Sequence, residues 1–126
     1  MISAENMNVI NAIRSKMAFN KVIWTNTSSD SQFKLLLNSS TIVIDKWTGP
    51  KLGDLIRLDI INDNGNIISR IMYVKEKEFE NYELLTQFYD EVKEYHINTT
   101  RQALNQVVNE IISSDTVGRF DSVVKK

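Results

Sequence analysis

Residues 54 to 74, DLIRLDIINDNGNIISRIMYV, constrain the fold more than any other stretch, because two runs of alternating apolar residues meet at Asn64-Gly65. That dipeptide accepts the positive φ that both central positions of a type I′ turn demand, so the spacing predicts a hairpin with a two-residue loop. Asp63 then faces Asn66, and the register carries outward to Asp59 opposite Arg70, Leu58 opposite Ile71 and Ile56 opposite Tyr73. One face of the ribbon holds Ile56, Leu58, Ile60, Ile71 and Tyr73, with Ser69 as its only polar member. The other mixes Arg57, Asp59 and Arg70 with Leu55, Ile61, Ile68, Met72 and Val74. A three-residue loop, with Gly65 as a bulge, would shift the pairing by one and set Arg70 beside Leu58 on the apolar face. The two-residue loop is therefore expected.

A second hairpin precedes the first. Residues 32–37 and 41–46 flank Asn38-Ser39-Ser40. A Ser39-Ser40 loop pairs Leu35 with Ile44, Leu37 with Ile42 and Lys34 with Asp45; an Asn38-Ser39 loop moves the pairing by two and keeps the faces. Lys21 to Thr25 reads as one more strand, followed by a polar loop over residues 27–31. Residues 47–53, WTGPKLG, contain the only proline and two of the four glycines, which predicts a loop carrying Trp47 and Leu52, apolar residues tucked against the sheet edge or offered to a partner.

Helical spacing brackets this run of strands. Met7, Ile10, Ile13 and Met17 recur at steps of three and four in residues 3–18, with Asn20 as a stop. Tyr82, Leu85, Phe88, Tyr89 and Val92 do the same in residues 81–96, and Leu104, Val107, Val108, Ile111 and Ile112 mark a last helix. Thr99-Thr100-Arg101-Gln102 has the form of a capping box, so a break at His96-Ile97-Asn98 and an αα-hairpin are expected. Residues 116–126 read as a tail. The fold class is thus α+β: an N-terminal helix, an antiparallel meander of about five strands, and a C-terminal αα-hairpin packed on one sheet face, all in a single domain.

Composition narrows the functional classes. Hydrophobic residues at 42% and charged residues at 25% are those of a globular chain. A formal charge of −1 gives no global pull toward nucleic acid or an anionic membrane. The absence of cysteine removes disulfides, thiolate metal sites and thiol catalysis, and fits a reducing cytoplasm. Glu5 stands where a signal peptide carries basic charge, and no apolar run is long enough to span a bilayer. The abundance of Asn, Ile and Lys points to an AT-rich bacterial or phage genome.

Catalytic groups are sparse. His96 is the only histidine, expected at a helix end in a structural role, and a histidine metal site needs more than one. Residues 59–66 have the carboxylate density of a calcium loop, yet with Gly65 as the turn glycine the first ligand position falls on Ile60 and the last on Ile71. No glycine-rich phosphate cradle is present. No cofactor, metal, nucleic acid or membrane partner is expected. What stands out is the half-polar sheet face, too apolar for full exposure. The sequence therefore points to binding without catalysis, by an adaptor or immunity-like module that meets a protein partner or a second copy through Arg57, Asp59, Arg70 and Trp47. The other reading is a small-ligand carrier or enzyme with a pocket between helices and sheet, lined by Trp24, Tyr73, Tyr82, Phe88 and Tyr89.

Overall fold

In the computed structural model, which describes residues 2–119, the order is α1 (Ala4–Met17), β1 (Trp24–Asn26), β2 (Gln32–Leu36), β3 (Ser40–Gly49), β4 (Gly53–Asn62), β5 (Ile67–Val74) and α2 (Phe79–Ser113). The strands form one antiparallel sheet in the order β1-β2-β3-β4-β5, the expected meander. The chain divides into two compact units at His96/Ile97.

In the first unit, α1 starts where Ser3 Oγ accepts the Asn6 amide at 3.2 Å, leaving one fewer orphan donor in the first turn. It ends at Met17, and Asn20, with φ of 57°, closes a Schellman-type turn: Asn20 N–H donates to Met17 C=O and Lys21 N–H to Lys16 C=O, each at 3.0 Å. Ile10 and Ile13 are buried, and Met7 and Met17 pack beside them. The stripe is core.

Both helices supply the core with residues from one face of the sheet. Ile10 and Ile13 from α1 and Tyr82, Leu85, Phe88, Tyr89 and Val92 from α2 join Trp24, Phe33, Leu35, Ile42, Ile44, Ile56, Leu58 and Tyr73. Ser69, the polar exception on this face, donates to Asn6 Oδ1 of α1 at 3.1 Å. Arg14 of α1 pairs with Glu91 of α2 at 2.6 Å and lies over the Phe88 ring. Tyr95 pins the chain leading into β1, its hydroxyl accepting from Val22 N–H and donating to Val22 C=O.

Three expectations are corrected and one open choice, the second below, is settled. First, the β4–β5 loop has three residues. Gly65 N–H donates to Asn62 C=O, Asn62 N–H donates to Asn66 C=O, and Gly65 alone in the turn has positive φ, so the turn is not type I′. The Asn62 side chain decides this by accepting both the Asn64 and Asn66 amides at 3.0 and 2.9 Å. The feared slip does not spread, because a bulge between Ile60↔Ser69 and Ile61↔Ile67 leaves Ile68 as an extra residue and restores Asp59↔Arg70, Leu58↔Ile71 and Ile56↔Tyr73. Second, β2 and β3 take the Asn38-Ser39 register, Leu35↔Ile42 and Phe33↔Ile44, so Lys34 faces Val43 and not Asp45.

Third, Trp47 lies in β3 opposite Leu55, and only residues 50–52 form the loop. Gly53, with φ of 81°, starts the return strand at once. Fourth, the αα-hairpin is absent. The helix of 35 residues runs through His96-Ile97-Asn98 because that tripeptide has neither glycine nor proline to break it. Thr99 is therefore inside a helix, where the amide a cap would satisfy already bonds four residues back.

The second unit contains the C-terminal part of α2. Its apolar stripe, Leu104, Val107, Val108, Ile111 and Ile112, is exposed. Residues 116–119 are exposed and outside regular structure, while residues 120–126 of the expected tail lie outside the described residues. Among the described residues no helix is long and apolar enough to cross a membrane.

Candidate functional site

The outer face of the sheet, turned from the helical layer, is built in rows by the register. Trp47, Leu55 and Val74 form one row across β3, β4 and β5; Asp45, Arg57 and Met72 the next; Val43, Asp59 and Arg70 the third, with Lys34 of β2 beside Val43. None of these residues belongs to the core cluster shared with the helices. Alternation of side chains along ten-residue strands is what brings them to one side.

Charges on this face form a chain of alternating sign. Arg70 Nε donates to Asp59 Oδ1 at 2.8 Å and Arg70 Nη2 to Asp59 Oδ2 at 3.0 Å, a two-pronged contact between directly opposed residues. Arg57 Nε lies 3.3 Å from Asp59 Oδ2, without hydrogen-bond alignment, and its Nη2 lies 3.9 Å from Asp45 Oδ2. Asp45 also accepts from Ser31 Oγ at 2.7 Å and Gln32 Nε2 at 3.3 Å. Asp59 is only 4% exposed despite facing away from the helices. Its hydrogen bonds and charge raise the Arg70 pKa above the ordinary arginine value.

Trp47 completes the group. The Arg57 guanidinium sits 5.2 Å from the centre of its ring, a cation–π contact that ties the arginine to the first row. Long side chains of the outer face thus help shield Leu55, Val43 and Val74, which are buried although they lie outside the core cluster shared with the helices. All four residues singled out from sequence, Trp47, Arg57, Asp59 and Arg70, come together. Asp45 was not singled out from sequence as a site residue; it enters through the β3–β4 register, which sets it opposite Arg57.

The face is not wholly self-covered. Along the free edge, Ile67, Ile68 and Met72 are 47%, 62% and 45% exposed. Leu36 lines a groove shared with α1. The N-terminal helix does not cover the outer face, having packed on the other side of the sheet.

His96 is not at a helix end. It lies within α2, its ring edge-on to Phe33 at 5.5 Å. Trp24, Tyr73, Tyr82, Phe88 and Tyr89, proposed from sequence as a pocket lining, are buried core residues. Tyr82 and Tyr89 also border a polar groove of about 500 Å3 that includes Lys46, Asp54 and Asp90. The Lys46 ammonium lies 5.9 Å from the centre of each ring, and the Tyr89 hydroxyl donates to Ser31 C=O at 2.7 Å. Burial, with Asp45 and Asp90 nearby, pushes the Tyr89 pKa up to about 12, and burial with Asp54 raises that of Tyr82. Both phenols are neutral near pH 7. No cluster of three or more His, Cys, Asp or Glu side chains able to hold a metal ion occurs among the described residues.

No protein-family model matches this chain, and neither a curated protein nor a solved structure is significantly similar to it.

Proposed function

We propose that this protein is a non-catalytic interaction module, acting in the cytoplasm, that meets a protein partner through the outer face of its sheet. The observation that supports this reading is the finished but uncovered edge of that face. Ile67, Ile68 and Met72 stay in water beside a charge chain whose signs already cancel. Arg70, oriented by the buried Asp59, supplies directional contacts, Arg57 and Trp47 a cationic and aromatic surface, and the aliphatic residues of β5 the area to be dried. Arginine and tryptophan beside aliphatic side chains are the composition of interface centres. Because among the described residues β5 pairs with β4 alone, its outer edge can also accept an added strand.

A second copy of this chain is the simplest partner. Light scattering on the full chain should then give about twice 14.5 kDa. Ile68→Glu with Met72→Glu should return the mass to 14.5 kDa with unchanged circular dichroism. Charge reversal at Arg57 and Arg70 should act in the same direction. For a different partner, a photo-crosslinking residue at position 72 should capture one protein in its native cell, and the same residue at exposed Ser114 should not. A monomer that captures nothing from position 72 refutes the proposal.

The second reading, a small-ligand or enzymatic site, draws on the groove beside Tyr82 and Tyr89. It is the weaker reading because the Lys46 ammonium already lies over both rings and the Tyr89 hydroxyl is already bonded to the backbone.

A further inference from the structure

A second surface, independent of the outer sheet face, lies where α1 meets the start of β1 and the end of β2. Val9, Ala12 and Ile13 of α1 face Ile23, Leu36 and Leu37 across a groove of about 540 Å3. Ile23, Leu36 and Leu37 are mostly exposed, so this wall is apolar surface that folding of the unit leaves wet. The groove's described lining contains no aromatic ring and no hydroxyl, amide or carboxylate side chain. It offers aliphatic contact and one kind of charge, because its only charged members are Lys16 and Lys21.

The backbone brings those two lysines to the same rim. Asn20 in the left-handed region folds the chain so that Lys21 N–H donates to Lys16 C=O, placing the two residues side by side although five positions separate them. The following residue cannot drift, since the Tyr95 hydroxyl bonds both backbone groups of Val22. The backbone that carries the two lysines is thus fixed relative to the apolar wall. An occupant must match both parts: saturated or lightly unsaturated hydrocarbon along the groove, and a negative head that the two lysines can meet. A peptide would bring amide groups for which the lining side chains hold no partner except the two ammoniums.

We infer that this groove binds a free fatty-acid anion, with the alkyl chain along Val9, Ile13, Ile23 and Leu37 and the carboxylate at Lys16 and Lys21. The probe is sodium dodecanoate below its micelle concentration, titrated calorimetrically into the full chain. The expected result is saturable binding at one site. Dodecyltrimethylammonium, with the same chain and opposite charge, should bind at least about tenfold more weakly. Lys16→Glu with Lys21→Glu should reverse that preference, and Ile23→Asp with Leu37→Asp should abolish both titrations while circular dichroism stays unchanged. All four positions are exposed, so these variants keep the core. No dodecanoate binding, equal binding of the two head groups, or binding untouched by the lysine changes each overturns the inference. So does sedimentation with anionic phospholipid vesicles in place of dodecanoate binding, which would assign the groove to a membrane surface. A dimer lost in Ile23→Asp with Leu37→Asp, without dodecanoate binding, would assign it to a second copy.

Discussion

Replacing Asp59 by alanine tests whether the charge chain holds the outer face in shape. The substitution removes two aligned hydrogen bonds to Arg70 and the nearest negative charge to Arg57. Breaking a fully buried pair costs about 3–5 kcal/mol, because one charge is stranded away from water. Here the stranded partners are partly wet: the Arg70 side chain is 47% exposed and the Arg57 side chain 26%, with Asp45 still 3.9 Å away. The expected loss is therefore about 2 kcal/mol, below the buried limit and above the ~0–1 kcal/mol of a surface pair. With a urea dependence of about 1–3 kcal/mol per molar, the unfolding midpoint should fall by roughly 1 M, read by circular dichroism and tryptophan fluorescence. Arg70→Ala in the Asp59→Ala background should cost less than in the native background, because its partner is already gone. Asp59→Leu with Arg70→Met should recover most of the loss, since apolar replacements of a buried pair are often neutral. A midpoint shift under ~0.2 M, or strictly additive single changes, would refute the reasoning.

Two further outcomes follow from burial. Leu85→Ala and Leu104→Ala make the same change within one helix, but Leu85 is fully buried and Leu104 is 60% exposed. The first should cost about 3 kcal/mol and the second under ~0.5 kcal/mol in urea unfolding; equal costs would contradict the burial difference. Tyr89 should ionise near 12 in an absorbance titration at high pH. Its raised value makes the folded state hold its proton after the unfolded chain, with a pKa near 10, has lost it, so stability is full below pH ~10 and declines as pH rises toward 12. Tyr89→Phe should remove that last titration step and, by deleting the bond to Ser31, cost about 1 kcal/mol at neutral pH.

Much of the sheet was legible because alternation is a strong signal. The core face of β4 and β5, and the juxtaposition of Arg57, Asp59 and Arg70, follow from a period of two once any register is chosen that keeps Arg70 off the apolar side. The turn was not legible, because Asn64-Gly65 satisfies a two-residue loop by propensity while the acceptor at Asn62 favours a longer one. Trp47 was read as loop because Gly49 and Pro50 follow closely, whereas a strand can run to the residue before a proline. The capping motif at Thr99 misled for a related reason: a cap acts only where the helix has already been interrupted. The apolar stripe of residues 104–112 was legible as a stripe, but periodicity does not reveal whether a stripe finds a partner within its own chain.

Ile68 gives the β4–β5 hairpin an unusual property. The tip and the shaft are phased separately: Ile61↔Ile67 belongs to one frame, Asp59↔Arg70 to the next, and the spare residue between them takes up the difference. A change of length near Asn64 can therefore be balanced a few residues away, without turning Tyr73 outward or Arg70 inward. The end of this ribbon is where insertions and deletions can accumulate over evolutionary time while the rest of the domain stays in frame.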